Sequence, residues 1–384
     1  MQIGVFSESY EPIINGVTVC VQTLRDELCR QGHDVFVFAP ACDGFVDPYD
    51  RVYRFPSMRT LFARDYPIAV PYSPRIRESF RKLDLDIVHT QTPFFLGMLG
   101  VRWARRQGIP VVSTNHTLYA QYTHYAHLPK SLTERLVVAH MRRYYNGCDG
   151  VVVPSRITRD ILLGYGVRTR IEVITSGVND GGPAPTAGDF RVRYGVPADA
   201  KNLLYVGRLA REKNLEMLLS AFDVLRKEDN DAWLTLVGAG PYERALREQA
   251  ERLGIAGRVV FTGLLPRADL PPVYASADLF VWPSITETQG LAVCEALSAG
   301  LPCVAVNGGG APECMQEGVD SLLTANDAGS LATSVLKLLG DETLRSRMAA
   351  DARRNSARFS TSEWAANFVE FYSSVIANCK RGET

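Results

Sequence analysis

The chain has 384 residues, with 42 Lys and Arg against 42 Asp and Glu, a formal net charge of zero. At about 150 residues per domain two domains are expected, or three; a composition of 46% hydrophobic and 22% charged residues is that of an ordered globular chain. Zero net charge removes the bulk drive toward nucleic acid, and no apolar run nears the roughly 18 residues of a membrane span. The N-terminal stretch meets Glu8 before any signal-length apolar run, so a soluble or peripheral intracellular protein is expected.

The opening sets a strand, loop, helix rhythm. Ile3–Phe6 reads as a buried strand and Ser7–Gly16 as a polar loop. Val17, Val21, Leu24 and Leu28 then mark one face of a helix that stops near Gly32. Val35–Ala39, Asp86–His89, Pro110–Ser113, Gly150–Val153 and Ile171–Ile174 are further predicted strands. The stretch Gly181-Gly-Pro-Ala-Pro-Thr-Ala-Gly188 is the best linker signal in the chain. Beyond it the rhythm restarts with strands at Leu203–Val206, Trp233–Val237, Val259–Phe261, Leu279–Trp282 and Cys303–Val306. A helix striped by Leu215, Leu218, Leu219, Phe222 and Leu225 follows the first of these.

The last segment carries a capping box, Ser360-x-x-Glu363, and an apolar stripe of Trp364, Phe368, Phe371 and Val375. This pattern predicts two α/β domains of Rossmann type, 1–180 and 181–359, their parallel sheets facing across a cleft. The terminal helix, 360–384, is expected to pack back on the first. The eight cysteines show no Cys-x-x-Cys or zinc-like spacing and read as buried free thiols.

Charge is uneven despite the zero sum. Residues 51–150 hold 15 Lys and Arg against 6 Asp and Glu. This pattern suits an anionic surface or substrate, and equally a set of solvated helix faces.

Four segments carry chemistry. In Pro283-Ser-Ile-Thr-Glu287-Thr-Gln289-Gly290-Leu291-Ala-Val-Cys-Glu295 a strand turns into a helix, with Glu287 at its mouth and Glu295 about one turn in. Unpaired amides at a helix start bind phosphate, and a carboxylate in such a cleft can accept from two vicinal ribose hydroxyls. The alternative is a dipole-stabilising Glu287 and a solvated Glu295. Gly207-Arg208-Leu-Ala-Arg-Glu-Lys213-Asn214 places two cations after a strand, where they could neutralise a diphosphate leaving group or be plain surface charge. Asn15-Gly16 precedes the first helix, where glycine allows close approach to an anion or simply makes a turn. His116 opens a cluster with Tyr119, Tyr122, His124, Tyr125 and His127, suited to sugar rings or a membrane interface. Gly308-Gly-Gly-Ala-Pro-Glu313 ends a strand and reads as opening a helix. Gly238-Ala-Gly240 lacks a third glycine and argues against a nicotinamide enzyme.

Together these segments resemble the retaining glycosyltransferases of family 4, which have the GT-B fold. The resemblance rests on Asn15-Gly16, His116, Gly207-Arg208 with Glu212-Lys213-Asn214, Gly238-Ala-Gly240-Pro241, and Glu287 through Glu295 as the Glu-x7-Glu motif. Ala296, Gly300-Leu-Pro302 and Gly308–Glu313 follow in order. It implies an acceptor-binding first domain and a nucleotide-sugar-binding second domain. Arg208 and Lys213 would hold the donor diphosphate, and Glu295 the ribose. Glu287 would meet the donor-sugar hydroxyls, with the Gln289, Gly290 and Leu291 amides and Gly238 close by. His116 would lie near the 6-hydroxyl, and Asn15 and Gly16 would face the diphosphate. The family's usual mechanism is a front-face reaction in which the leaving phosphate takes the acceptor proton.

Gln289, where many relatives have Phe or Tyr, is similar to the bacterial diacylglycerol glucosyltransferase branch. So are His89-Thr-Gln-Thr and Asn115-His116-Thr-Leu-Tyr followed by Tyr122-Thr-His-Tyr. Asn115 departs from the Tyr, His or Phe expected before this histidine. This branch implies transfer of a hexose, glucose first, from a UDP-sugar to diacylglycerol by a cytoplasmic enzyme peripheral on the inner face of the membrane. The basic stretch and Leu61-Phe62 between Arg59 and Arg64 suit an anionic surface. No nucleic-acid partner, resident cofactor or metal is implied, and stimulation by Mg²⁺ is left to measurement. The alternatives are the same chemistry on phosphatidylinositol, a glycan or a small soluble acceptor, a GT-B-fold nucleotide-sugar epimerase, and a non-catalytic nucleotide-sugar binder.

Overall fold

The computed structural model describes residues 1–13, 15–60, 63–119, 130–178, 187–228 and 231–382. Leu61-Phe62, the residues Tyr122, His124, Tyr125 and His127, and linker positions 181–186 lie outside them. The chain divides into two compact units, Met1–Gly177 with Thr361–Thr384, and Val178–Ser360.

The first unit runs β1 (Gln2–Phe6), α1 (Gly16–Arg30), β2 (Asp34–Pro40), β3 (Val52–Phe55), β4 (Ser57–Thr60), β5 (Ala63–Ala69), α2 (Pro74–Lys82), β6 (Ile87–Thr90), α3 (Phe95–Gln107), β7 (Val111–Thr114), α4 (Lys130–Tyr145), β8 (Gly150–Val153), α5 (Arg156–Gly164) and β9 (Ile171–Val173). Seven strands form one parallel sheet in the order β3-β2-β1-β6-β7-β8-β9, and β4 and β5 pair apart as an antiparallel hairpin. Strand order reverses between β1 and β6, so the loops leaving their carboxyl ends diverge and open a crevice there. Helix α1 starts at Asn15, whose Oδ1 accepts from the Thr18 amide at 2.9 Å, and it buries Val21, Leu24 and Leu28. Phe6, Phe38, Phe80 and Trp103 form an aromatic centre, with Phe6 stacked on Phe38 at 4.4 Å.

The second unit runs α6 (Ala187–Tyr194), β10 (Lys201–Val206), α7 (Leu215–Glu228), β11 (Ala232–Val237), α8 (Glu243–Arg252), β12 (Val259–Gly263), α9 (Leu270–Ala275), β13 (Leu279–Trp282), α10 (Leu291–Ser298), β14 (Cys303–Val306), β15 (Ser321–Thr324), α11 (Ala328–Gly340) and α12 (Glu342–Asn355). Its six strands are parallel in the order β12-β11-β10-β13-β14-β15, with the reversal between β10 and β13. The central strands are near-continuous apolar runs because helices cover both faces of a parallel sheet. Helix α13 (Thr361–Arg381) belongs to the first unit and buries Trp364, Phe368, Phe371 and Val375.

Three sequence readings are corrected. Gly308–Glu313 does not open an α-helix; it leads into a single 3-10 turn, Ala311–Cys314, with Pro312 in its first turn. All eight cysteines are free, but Cys29 is exposed and Cys42 and Cys379 are only partly buried. Strands β3 and β15 and the β4–β5 hairpin had no place in the sequence reading. The first two are edge strands buried on one side, which weakens their apolar signal.

Candidate active site

Four charged side chains of the second unit, Arg208, Glu212, Lys213 and Glu287, meet at the β10/β13 reversal. After β10 the chain passes Gly207 and Arg208, makes a 3-10 turn over Arg211–Lys213, and enters α7 through Asn214 in the left-handed region at φ 60°. After β13 it turns at Pro283 toward Glu287. The two loops are stitched together: Asn214 Nδ2 donates to the Pro283 carbonyl at 3.0 Å, and Thr286 Oγ1 to the Glu212 carbonyl at 3.1 Å. Across this seam Lys213 Nζ pairs with Glu287 Oε1, both side chains mostly buried. Arg208 pairs with Glu212, a carboxylate 5% exposed, while Arg208 itself is 46% exposed and faces solvent. Both predicted diphosphate cations are thus held by carboxylates of this unit, and a diphosphate would compete for them.

Glu287 is braced from behind: its carbonyl accepts from the Gly310 amide at 2.7 Å. Gly290 is the N-cap of α10, at φ 87°, a backbone that only glycine takes without strain, and Leu291 is the first helical residue. The Leu291 and Ala292 amides at the start of α10 have no acceptor within the helix, which leaves these two available to an anion, whereas Val293 donates to the Gly290 carbonyl at 2.9 Å. The Gln289 side chain is buried, with Nε2 3.4 Å from Cys294 Sγ.

Glu295 is not a solvated helix residue. Tyr274 donates its hydroxyl to Glu295 Oε2 at 2.8 Å, and Arg267 Nη2 lies 3.7 Å from Oε1. Burial raises the Glu295 pKa, and the Tyr274 hydrogen bond and Arg267 charge oppose that rise. Gly238 is a packing residue: at φ 131° a Cβ there would lie 2.0 Å from the Gly207 carbonyl oxygen. Its absence lets the β11 loop support the backbone that carries Arg208.

The first unit presents its own set at the carboxyl edge. Asn15 is committed to capping, with Oδ1 on the Thr18 amide and Nδ2 donating to Ser9 Oγ at 2.6 Å. Gly16, the first residue of α1, is exposed. His116 is partly buried two residues beyond β7; its Nε2 lies 2.7 Å from Gln91 Oε1, and burial pulls its pKa to about 4. Asn115 points inward and donates to the Tyr145 hydroxyl at 2.8 Å. Glu8, after β1, accepts from the Leu96 amide at 2.8 Å, and burial raises its pKa.

Sequence reasoning missed Tyr274 and Arg267, and it quoted Gln91 and Glu212 within motifs without giving either a role. It also missed a groove of about 540 Å³ between α2 and α3. Arg77 and Arg81 line it from α2, Arg102 and Arg106 from α3, with Trp103 beneath and the exposed Tyr72 at its rim. Each helix carries its arginines at i and i+4, a mildly destabilising like-charge spacing that was legible in the sequence. Among the described residues none of the four is paired with a carboxylate; Glu78, in the same groove, pairs with Lys82 at 2.7 Å. Also among the described residues, no helix is long and apolar enough to cross a membrane, and no cluster of three or more His, Cys, Asp or Glu could hold a metal ion.

Two α/β units with parallel sheets, each carrying its polar and charged groups at the carboxyl edge, are the architecture of GT-B glycosyltransferases. The model of Glycosyltransferase Family 4 matches residues 14–181, and that of Glycosyl transferases group 1 matches residues 188–355. The chain belongs to glycosyltransferase family 4. It is 36% identical over 313 residues to the alpha-monoglucosyldiacylglycerol synthase of Streptococcus pneumoniae, covering 79% of this chain and 71% of that one. It is 29% identical to the GDP-mannose-dependent alpha-mannosyltransferase of Corynebacterium glutamicum, over 99% of this chain and 91% of that one. In fold it is similar to Anabaena Alr3699/HepE, solved with UDP: TM-score 0.79, 23% identity, 97% of this chain and all of that one covered.

Proposed function

We propose that this enzyme moves a hexose, glucose first, from a UDP-sugar to a lipid acceptor such as diacylglycerol, with retention at the anomeric carbon. The observation that carries the donor half is the gathering of Arg208, Lys213 and Glu287 at the β10/β13 reversal, beside the free amides of α10. Lys213 and Arg208 neutralise the diphosphate, Glu287 receives donor-sugar hydroxyls, and Glu295, preset by Tyr274, accepts from the ribose. The second unit thereby serves the nucleotide sugar. The first serves the acceptor, and the family resemblance assigns His116 to the sugar and Gly16 to the diphosphate, with Asn15 setting the start of α1.

The bond from C1 to the β-phosphate oxygen breaks as the acceptor oxygen bonds C1 from the same face. The acceptor proton passes to the leaving phosphate, and the two cations stabilise the charge that develops on it. Support for retention comes from relatives whose names specify α products; a nucleotide sugar such as UDP-glucose is itself α-linked, so an α product keeps the configuration. Support for a lipid acceptor comes from the diacylglycerol synthase similarity and from the arginine groove, which suits a peripheral enzyme on the cytoplasmic face of an anionic membrane.

The similarity to GDP-mannose-dependent enzymes over nearly the whole chain favours a second reading, the same chemistry with GDP-mannose. The test is release of UDP from UDP-glucose, or of GDP from GDP-mannose, with and without diacylglycerol vesicles, the lipid being weighed by mass spectrometry. Lipid-dependent UDP release with a matching hexosyl-lipid mass supports the first reading. Release from GDP-mannose alone supports the second, and release with no acceptor but an isomerised sugar would indicate an epimerase.

A further inference from the structure

On one face of the first unit's sheet, alternate positions of two neighbouring strands carry polar groups. Thr90 of β6 pairs in register with Ser113 of β7. His89 and Gln91 flank the first, and Thr114 and His116 continue the second, so the two-residue period of a strand sends all four to the same side. Helix α13 covers that side, with the Phe368 and Tyr372 rings centred 5.3 and 5.6 Å from the His89 ring.

The four side chains and Tyr372 are joined by hydrogen bonds. The Tyr372 hydroxyl is 2.7 Å from His89 Nδ1, and His89 Nε2 is 2.7 Å from Thr114 Oγ1. The Gln91 amide nitrogen lies against the His89 ring, 3.1 Å from Nδ1 and 3.2 Å from Nε2, and Gln91 Oε1 is 2.7 Å from His116 Nε2. Burial keeps Tyr372 protonated and holds His89, at about 3, and His116, at about 4, neutral. Each neutral ring has one N–H, and its partners decide which nitrogen carries it. The Tyr372 and Thr114 hydroxyls can each donate or accept, so one of them takes the His89 N–H and the other donates to the remaining ring nitrogen. An amide oxygen only accepts, so His116 donates from Nε2 to Gln91.

We propose that Gln91 is a positioning residue that holds His116 as the Nε2–H tautomer with one ring orientation, and that Tyr372 on the C-terminal helix anchors Gln91 through His89. With Nε2 protonated and held by Gln91, the ring's lone pair is on Nδ1; the proposal rests on the reading of His116 given above. The final helix is then part of the sugar site's support, although no residue of it touches the sugar.

The test is ¹⁵N NMR of the full chain labelled at histidine, at neutral pH, with His116 assigned by the signal lost in His116→Gln. The wild type is expected to show His116 protonated at Nε2. Gln91→Leu is expected to mix the tautomers and lower turnover of the nucleotide-sugar donor about tenfold, the scale of one hydrogen bond, with UDP affinity little changed. Tyr372→Phe keeps the ring packing, and is expected to shift the His89 signals and lower turnover less. A wild-type His116 protonated at Nδ1 would overturn the proposal, as would a folded Gln91→Leu with unchanged tautomer and turnover. If Gln91→Leu does not fold, unchanged His89 and His116 signals in Tyr372→Phe overturn it. If the tautomers respond as expected but the wild type turns over neither UDP-glucose nor GDP-mannose, the positioning stands and the functional reading falls.

Discussion

Lys213 and Glu287, 74 residues apart in the chain, form a mostly buried ion pair at the point where strand order reverses in the second unit. On the proposed reading, each serves as a counter-ion to the other until a substrate offers a diphosphate to one and hydroxyls to the other. Lys213→Ala is therefore expected to weaken UDP binding at least tenfold, as loss of a charge-assisted contact of about 1.5–3 kcal/mol would. Glu287→Gln is expected to leave UDP affinity nearly unchanged and to lower turnover of the UDP-sugar. Calorimetric titration with UDP beside steady-state rates separates the two effects, and a Lys213→Ala enzyme that binds UDP like wild type would remove the diphosphate assignment.

Glu295 gives a pH-dependent prediction. Its pKa is raised by burial and partly restored by Tyr274, so the carboxylate proposed to receive the ribose is lost as pH falls through that raised value. Tyr274→Phe removes the opposing hydrogen bond and raises the pKa further. The acid limb of UDP affinity is expected to move to higher pH in this variant. Superimposable pH profiles for the two proteins would separate Glu295 from the nucleotide.

His116 and His89 set an acid limit on the first unit. Both folded pKa values, about 4 and about 3, lie below the ordinary 6.5. Between those values the unfolded chain binds more protons, so stability is complete above about pH 6.5 and is lost as pH falls toward 4 and below. The loss is on the order of 3 kcal/mol for His116 alone. Chemical denaturation at pH 7 and pH 5 reads about 2 kcal/mol of it per histidine, and a His89→Gln variant is expected to show a shallower dependence.

The arginines between α2 and α3 predict a salt-sensitive attachment to anionic lipid. Arg77→Glu with Arg81→Glu is expected to reduce binding to phosphatidylglycerol vesicles by about tenfold or more, at roughly 1 kcal/mol per basic residue near the surface. UDP affinity should not change. Sedimentation with vesicles at two salt concentrations reads the effect, and unaltered binding would place the membrane contact elsewhere.

Much of the scaffold was legible in the sequence because central parallel strands are continuous apolar runs and amphipathic helices repeat at 3.6 residues. Gly150–Val153, Leu279–Trp282 and Cys303–Val306 were read with the bounds they have in the structure. Val52–Phe55 and Ser321–Thr324 were not, because an edge strand buries only part of its surface and mixes polar residues into its pattern.

The individual charges of the second unit's candidate site, Arg208, Lys213, Glu287 and Glu295, were legible too, since each sits just after a strand or in the helix that follows. Their partners were not. Tyr274 reaches Glu295 from a separate helix, and Tyr372 reaches His89 across 283 residues. Sequence alone determined which residues stand at the carboxyl edges, because that follows from local periodicity and turn chemistry. Only the tertiary structure decided which of them meet, because the order of strands in a sheet is set by non-local packing. That packing makes neighbours of β10 and β13, seats Lys213 against Glu287, and lays the last helix over His89.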